Sequence, residues 1–104
     1  MAACVVFVTA SSVKEARRIS LALLKHKLAA CVNVVAGVHS RYWWKGRIES
    51  AREALLVIKT QRSKLPGLIH KVKKIHSYTV PEVIALPILQ GNPDYLLWIG
   101  SSLK

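Results

Sequence analysis

The sequence predicts an α+β fold in which a four-stranded sheet carries two helices across one face. Three observations lead there. Four short runs are rich in Val, Ile and Leu, two intervening segments repeat their apolar residues at helical spacing, and Lys45-Gly46 supplies a tight-turn signal between the middle two runs. The resulting order, β-α-β-β-α-β with a terminal helix, is the split β-α-β arrangement of ferredoxin-like folds.

Residues 3–9, ACVVFVT, are β-branched and continuously apolar, as a strand buried on both faces requires. Ser12-Val13-Lys14-Glu15 matches a capping box, and behind it Ala16, Ile19, Ser20, Leu23 and Leu24 recur at helical spacing, so a helix is expected over roughly 12–27. Residues 29–44 alternate Val32, Val34, Ala36 and Val38 with Cys31, Asn33 and Val35, a long strand in which Gly37 signals a bulge. The chain should return after Lys45-Gly46 as a hairpin ending in the apolar run 54–60. A second helix is expected from Ser63, with Pro66 in its first turn and Leu65, Leu68, Ile69, Val72 and Ile75 as its stripe. Residues 83–88 read as the last strand, and Asn92-Pro93 as the N-cap and N1 of a short helix bearing Tyr95, Leu96 and Ile99.

One domain is expected over residues 1–104, globular and soluble, because 52% of the residues are hydrophobic and no apolar run reaches membrane-spanning length. The first residues lack a basic segment followed by an apolar one and a cleavage site, so neither a secretory leader nor a membrane partner is expected. Cys4 and Cys31 lie inside apolar strands, which favours free thiols in a reducing, cytoplasmic setting, although one disulfide between them stays open. Sixteen Lys and Arg against five acids give a net charge of +11, enough to attract polyanions without specificity.

The predicted architecture leaves one sheet face bare. Because three strands are apolar on both alternations, that face would expose on the order of several hundred Å2 of aliphatic surface, more than a monomer tolerates. The cheapest cover is another copy of the chain, and a hairpin of about 15 residues per strand is long enough to reach a neighbour.

Several segments resemble the CutA divalent-cation-tolerance family. They are Phe7-Val8-Thr9-Ala10, Lys27-Leu28-Ala29-Ala30-Cys31-Val32-Asn33, Tyr42-Trp43-Trp44 with Gly46, Ile58-Lys59-Thr60, the stretch from Val80 to Ile88, and Gly91 to Leu96 with Trp98. The resemblance covers essentially the whole chain. It implies a ferredoxin-like protomer in a homotrimer, with the long hairpins completing neighbouring sheets, and a topology shared with the trimeric PII proteins. It also implies a role in divalent metal (copper) tolerance as a binding or scaffold protein, not an enzyme, with no required cofactor and weak binding of Cu(II) or another divalent cation. The alternatives are a PII-like trimer that takes a small anionic ligand in subunit clefts, and a basic nucleic-acid-binding module.

The family's loop usually reads His-Pro-Tyr-acid-Val-Pro-Glu, and His76, Tyr78, Val80, Pro81 and Glu82 match it while Ser77 and Thr79 depart. Of the proposed bacterial copper ligands, only one of the histidine pair survives, as His76; the other falls on Ile75 and the first-strand cysteine on Val8. Copper and zinc need several converging donors, so the expected metal set is His76 with Glu82, set against a plain loop-ordering role for His76 and Tyr78. Cys31 has no base near it in sequence, His26 and His70 sit among lysines, and His39 lies on the long strand beside Arg41. Tyr42, Trp43 and Trp44 are expected at the trimer interface, in preference to a base-stacking platform. Lys45 and Leu97 stand where the family usually has acids, so surface ion pairs are thinned.

Overall fold

The structure, a computed structural model, describes residues 2–104. Its elements run β1 (Ala3–Ala10), α1 (Val13–Lys25), β2 (Cys31–Trp44), β3 (Arg47–Gln61), a single 3-10 turn (Arg62–Lys64), α2 (Leu65–Ile75), β4 (Val83–Pro87) and α3 (Pro93–Ser102). The sheet is antiparallel throughout, in the order β2-β3-β1-β4. This is the expected ferredoxin-like topology.

Strand alternation divides the sheet into two faces. On one, Cys4, Val6, Val8 and Ala10 of β1 and Ala54, Leu56, Ile58 and Thr60 of β3 are buried under α1 and α2, where Ile19, Leu23, Leu68 and Val72 complete the core. The other face carries aligned rows: Cys31, Lys59, Val5 and Leu86 in one, and Asn33, Val57, Phe7 and Ile84 in the next. Ile84 is 53% and Leu86 50% exposed, so the protomer leaves this face open. Pro87 is tolerated because β4 is an edge strand.

Helix α1 starts at Val13 with Ser12 as its N-cap, as the capping pattern indicates, but only half of the capping box forms. Ser12 Oγ accepts from the Glu15 amide at 3.1 Å, but the Glu15 carboxylate turns to the Ser11 amide, not to Ser12. The helix ends in a Schellman motif: Leu28 N–H donates to Leu23 O at 2.9 Å and Lys27 N–H to Leu24 O at 3.1 Å, with Lys27 itself at φ 57°. Helix α2 begins at Leu65, after a 3-10 turn takes up Ser63 and Lys64.

The β2–β3 hairpin projects beyond the end of β1, giving the molecule a 44 Å long axis against 25 and 22 Å. Its register slips between Val35 and Val38, where Gly37 adopts φ 74°, the bulge its position announced. Lys45 (φ 52°) and Gly46 (φ 77°) form the two-residue turn, and positive φ at both positions is the mark of a type I′ hairpin.

Candidate functional site

The loop 76–82 leaves α2 at the end of the sheet from which the hairpin springs. His76 caps α2 with its backbone amide on Val72 O, and its extended backbone turns the ring into the core. The ring lies with Nε2 2.7 Å from Thr9 O, while Nδ1 accepts the Tyr78 amide at 3.0 Å. Because Nδ1 accepts, Nε2 carries the proton and donates it to Thr9 O. Both ring nitrogens are therefore committed, and the side chain is fully buried.

Beside it sits Glu15, the loop's anchor. Its carboxylate accepts the Ser11 amide (2.9 Å), the Ser11 hydroxyl (2.7 Å), the Ser77 amide (2.7 Å) and the Ser77 hydroxyl (2.9 Å), and Arg18 approaches at 3.3 Å. Burial by itself would raise this carboxyl, yet the bonds from Ser11 and Ser77 outweigh it and hold it down to about 2. The loop is thereby pinned to the start of α1, sixty-odd residues upstream.

Tyr78 makes the third attachment. Its hydroxyl donates to Glu53 Oε2 at 2.7 Å, at the root of the hairpin, and its ring packs on His76 with centroids 4.7 Å apart. Burial, followed by the bond to Glu53, pushes the phenol well above its ordinary value.

The expected metal pair is not drawn together. Glu82 is exposed just before β4, without a hydrogen bond or ion pair to His76, and among the described residues no three His, Cys, Asp or Glu side chains gather as metal donors. A cation at His76 would have to displace the Tyr78 amide from Nδ1. Of the two readings of this residue, the geometry favours loop order. Nor does a nucleophile meet a free base here, because the Ser11 and Ser77 hydroxyls both point into a carboxylate that is already saturated.

The other candidates lie apart. Cys4 faces the helices and Cys31 the open face, so the two thiols remain free, and the disulfide left open by the sequence is absent. Burial raises the Cys4 thiol, partly opposed by Arg62. Cys31 Sγ lies 3.9 Å from Asn33 Oδ1, which also accepts from Lys59 Nζ, and Tyr95 of α3 comes close enough to Cys31 that its phenol is raised by burial and by that thiol. His26 and His70 are exposed on helix termini and surfaces, and His39 pairs across the hairpin with Arg52.

The three hairpin aromatics do not act as one cluster. Tyr42 and Trp44 pair with Glu49 and Arg47 on the open side of the sheet, whereas Trp43 pairs with Ile48 on the helix side. Trp43 is 72% and Ile48 65% exposed. Alternation alone could have separated them, since neighbours on a strand point oppositely. The role of Glu15 was harder to see: its only sequence signal was the capping pattern, and Ser77 is remote in the chain.

Fold and loop together define a ferredoxin-like α+β protein with an extended central hairpin and a buried-carboxylate staple between α1 and the loop after α2. The chain belongs to the CutA1 divalent ion tolerance protein family, whose model matches residues 4–102. It is 47% identical over 100 residues to the chloroplastic Protein CutA 1 of Oryza sativa, covering 96% of this chain and 56% of the relative. With the divalent-cation tolerance protein CutA of Thermus thermophilus it shares 47% over 95 residues, 91% of this chain and 92% of that one. The mouse Protein CutA is 50% identical over 93 residues, 89% of this chain but 52% of its own length, so the chain spans about half of some curated relatives. Among solved structures, Oryza sativa CutA1 superposes with a TM-score of 0.95 at 46% identity, covering 98% of this chain and 94% of that one. The structure titled the periplasmic divalent cation tolerance protein CutA from Archaeoglobus fulgidus gives 0.95 at 40%, covering 98% and 99%.

Proposed function

We propose that the chain works as a homotrimer in divalent metal tolerance, with copper as the ion concerned, in a binding or scaffold role without a catalytic step. The observation that carries this reading is the open sheet face. Val35, Ile84 and Leu86 are about half exposed and Val5, Phe7, Leu55 and Val57 between them only partly buried, so an apolar surface stays open beyond the end that α3 reaches at Cys31, and the projecting hairpin adds Tyr42 and Trp44 on the same side. The relatives' names, which speak of divalent-cation tolerance, support the link to metal. Free thiols at Cys4 and Cys31 support a reducing compartment such as the cytoplasm, although one relative is called chloroplastic and one structure periplasmic.

His76 serves the loop in this reading, and any cation is held weakly by donors that converge between copies. Light scattering and calorimetry with Cu(II) and Zn(II) test the two halves. A trimer mass and metal binding that persists in His76→Ala are expected. A monomer at micromolar concentration would remove the assembly, and loss of binding in both His76→Ala and Glu82→Gln would restore those residues as ligands.

A further inference from the structure

The hairpin's helix-side face has a composition that neither the fold nor the proposed assembly uses. Strand alternation places His39, Arg41 and Trp43 of β2 and Ile48, Ser50 and Arg52 of β3 together there, with His39 opposite Arg52 and Arg41 opposite Ser50. Both acids of the hairpin, Glu49 and Glu53, point to the other side, where Glu53 is held by Tyr78. His39, Ser40, Arg41, Ser50, Ala51 and Arg52 line a shallow groove of about 560 Å3. Among the described residues, neither Arg41 nor Arg52 has a carboxylate partner.

The surroundings reinforce this charge. Helix α1 lies on the same side of the sheet, starting at the end from which the hairpin projects, and displays Lys14, Arg17, Arg18 and Lys25. Its one acid, Glu15, is taken up by Ser11, Ser77 and Arg18, which leaves Lys14, Arg17 and Lys25 of this helix without a carboxylate partner among the described residues. On the hairpin itself, the helix-side face therefore carries its cations with no acid among them.

We propose that this face of the hairpin binds single-stranded nucleic acid, with backbone phosphates in the Arg41–Arg52 groove and a base stacked on Trp43. Two guanidiniums and the Ser50 hydroxyl beside a depression can all donate to phosphate oxygens, and an exposed indole farther along the same face offers the π-face on which any base can stack. A flat anionic bilayer would meet the convex tip and leave the groove unfilled. A duplex would leave Trp43 without a splayed base. The face is opposite Tyr42 and Trp44.

Fluorescence anisotropy with labelled oligo-dT, from about 0.05 to 0.2 M salt, tests the proposal on the full chain. Arg41→Ala/Arg52→Ala should weaken binding at least tenfold and flatten the log–log salt slope by about 1.4, the value for two lost single-strand phosphate contacts. Trp43→Ala should weaken it at least fivefold and Trp43→Phe should restore most of that, with the fold of each variant checked by circular dichroism. The charge-matched Lys64→Ala/Lys104→Ala, at the far end of β3 from the hairpin tip, should change binding less than twofold. Equal losses in both double variants would mean bulk charge only and overturn the site. No binding to oligo-dT at 0.05 M salt, or binding only to phosphatidylserine vesicles, would overturn it as well. Light scattering on the same samples reports assembly separately.

Discussion

Glu15→Gln keeps the side chain's shape and removes the charge that four donors were arranged to meet. The folded-state carboxyl is held at about 2 against an ordinary 4.5, so its contribution is complete above about pH 5 and is lost as the pH falls towards 2. The bound on that contribution is about 3 kcal/mol, reduced by solvent screening. Urea titrations should show the wild type losing stability across this acid window and Glu15→Gln, already about 1–3 kcal/mol weaker at pH 7, losing much less. His76→Ala should cost a similar 1–3 kcal/mol, because Thr9 O would be left buried without its donor and the loop would lose its ring contact with Tyr78. A His76→Ala protein as stable as the wild type would show that the loop is held by Glu15 and Tyr78 alone.

At the scale of elements, two lysines occupy backbone conformations that suit other residues. Lys27 takes the left-handed position of the α1 Schellman motif, a place where glycine carries no Cβ penalty, and its only side-chain bond is an exposed one to Ser102 O at 3.4 Å. Lys27→Gly should therefore raise the unfolding midpoint, by roughly 0.5–1 kcal/mol. Lys45 stands first in the type I′ turn, where Asn is favoured, and Lys45→Asn should likewise stabilise by a few tenths of a kcal/mol, on the order of 0.5. If either variant is less stable in urea, the lysine side chain contributes more than its exposure suggests. The helices and strands themselves were legible from periodicity, but their ends were not. The first turn of α2 was displaced by a 3-10 turn, and β2 began at Cys31 because Leu28, Ala29 and Ala30 are spent on leaving α1 and packing against the core.

For the molecule as a whole, the open face sets the expected behaviour. Burying each 100 Å2 of it is worth about 2.5 kcal/mol, so covering even part of the two rows around Val57 and Lys59 outweighs the repulsion between +11 chains at moderate salt. Ile84 is half exposed in the protomer, so Ile84→Glu should leave the helical circular dichroism unchanged while reducing the mass measured by light scattering to that of one chain. An unaltered mass would mean that assembly uses another surface. Lowering the salt below about 0.05 M should loosen the assembly, since screening between like charges weakens with the Debye length.

The sequence by itself determined the order of elements, the faces of α1 and α2, the bulge at Gly37 and the turn at Lys45-Gly46, since each depends on residues within one or two turns of chain. It also determined the open face, as strands apolar on both alternations inside a two-layer fold leave one side without cover. Only the tertiary structure decided the role of the His76 loop. Its meaning rests on Thr9, Ser11, Glu15 and Glu53 being brought to it from elsewhere in the chain, and contacts over such separations leave no period for the sequence to display. The same holds for the hairpin aromatics: the run Tyr42-Trp43-Trp44 reads as one cluster on paper, and the pleat of a strand sends its middle member to the opposite face.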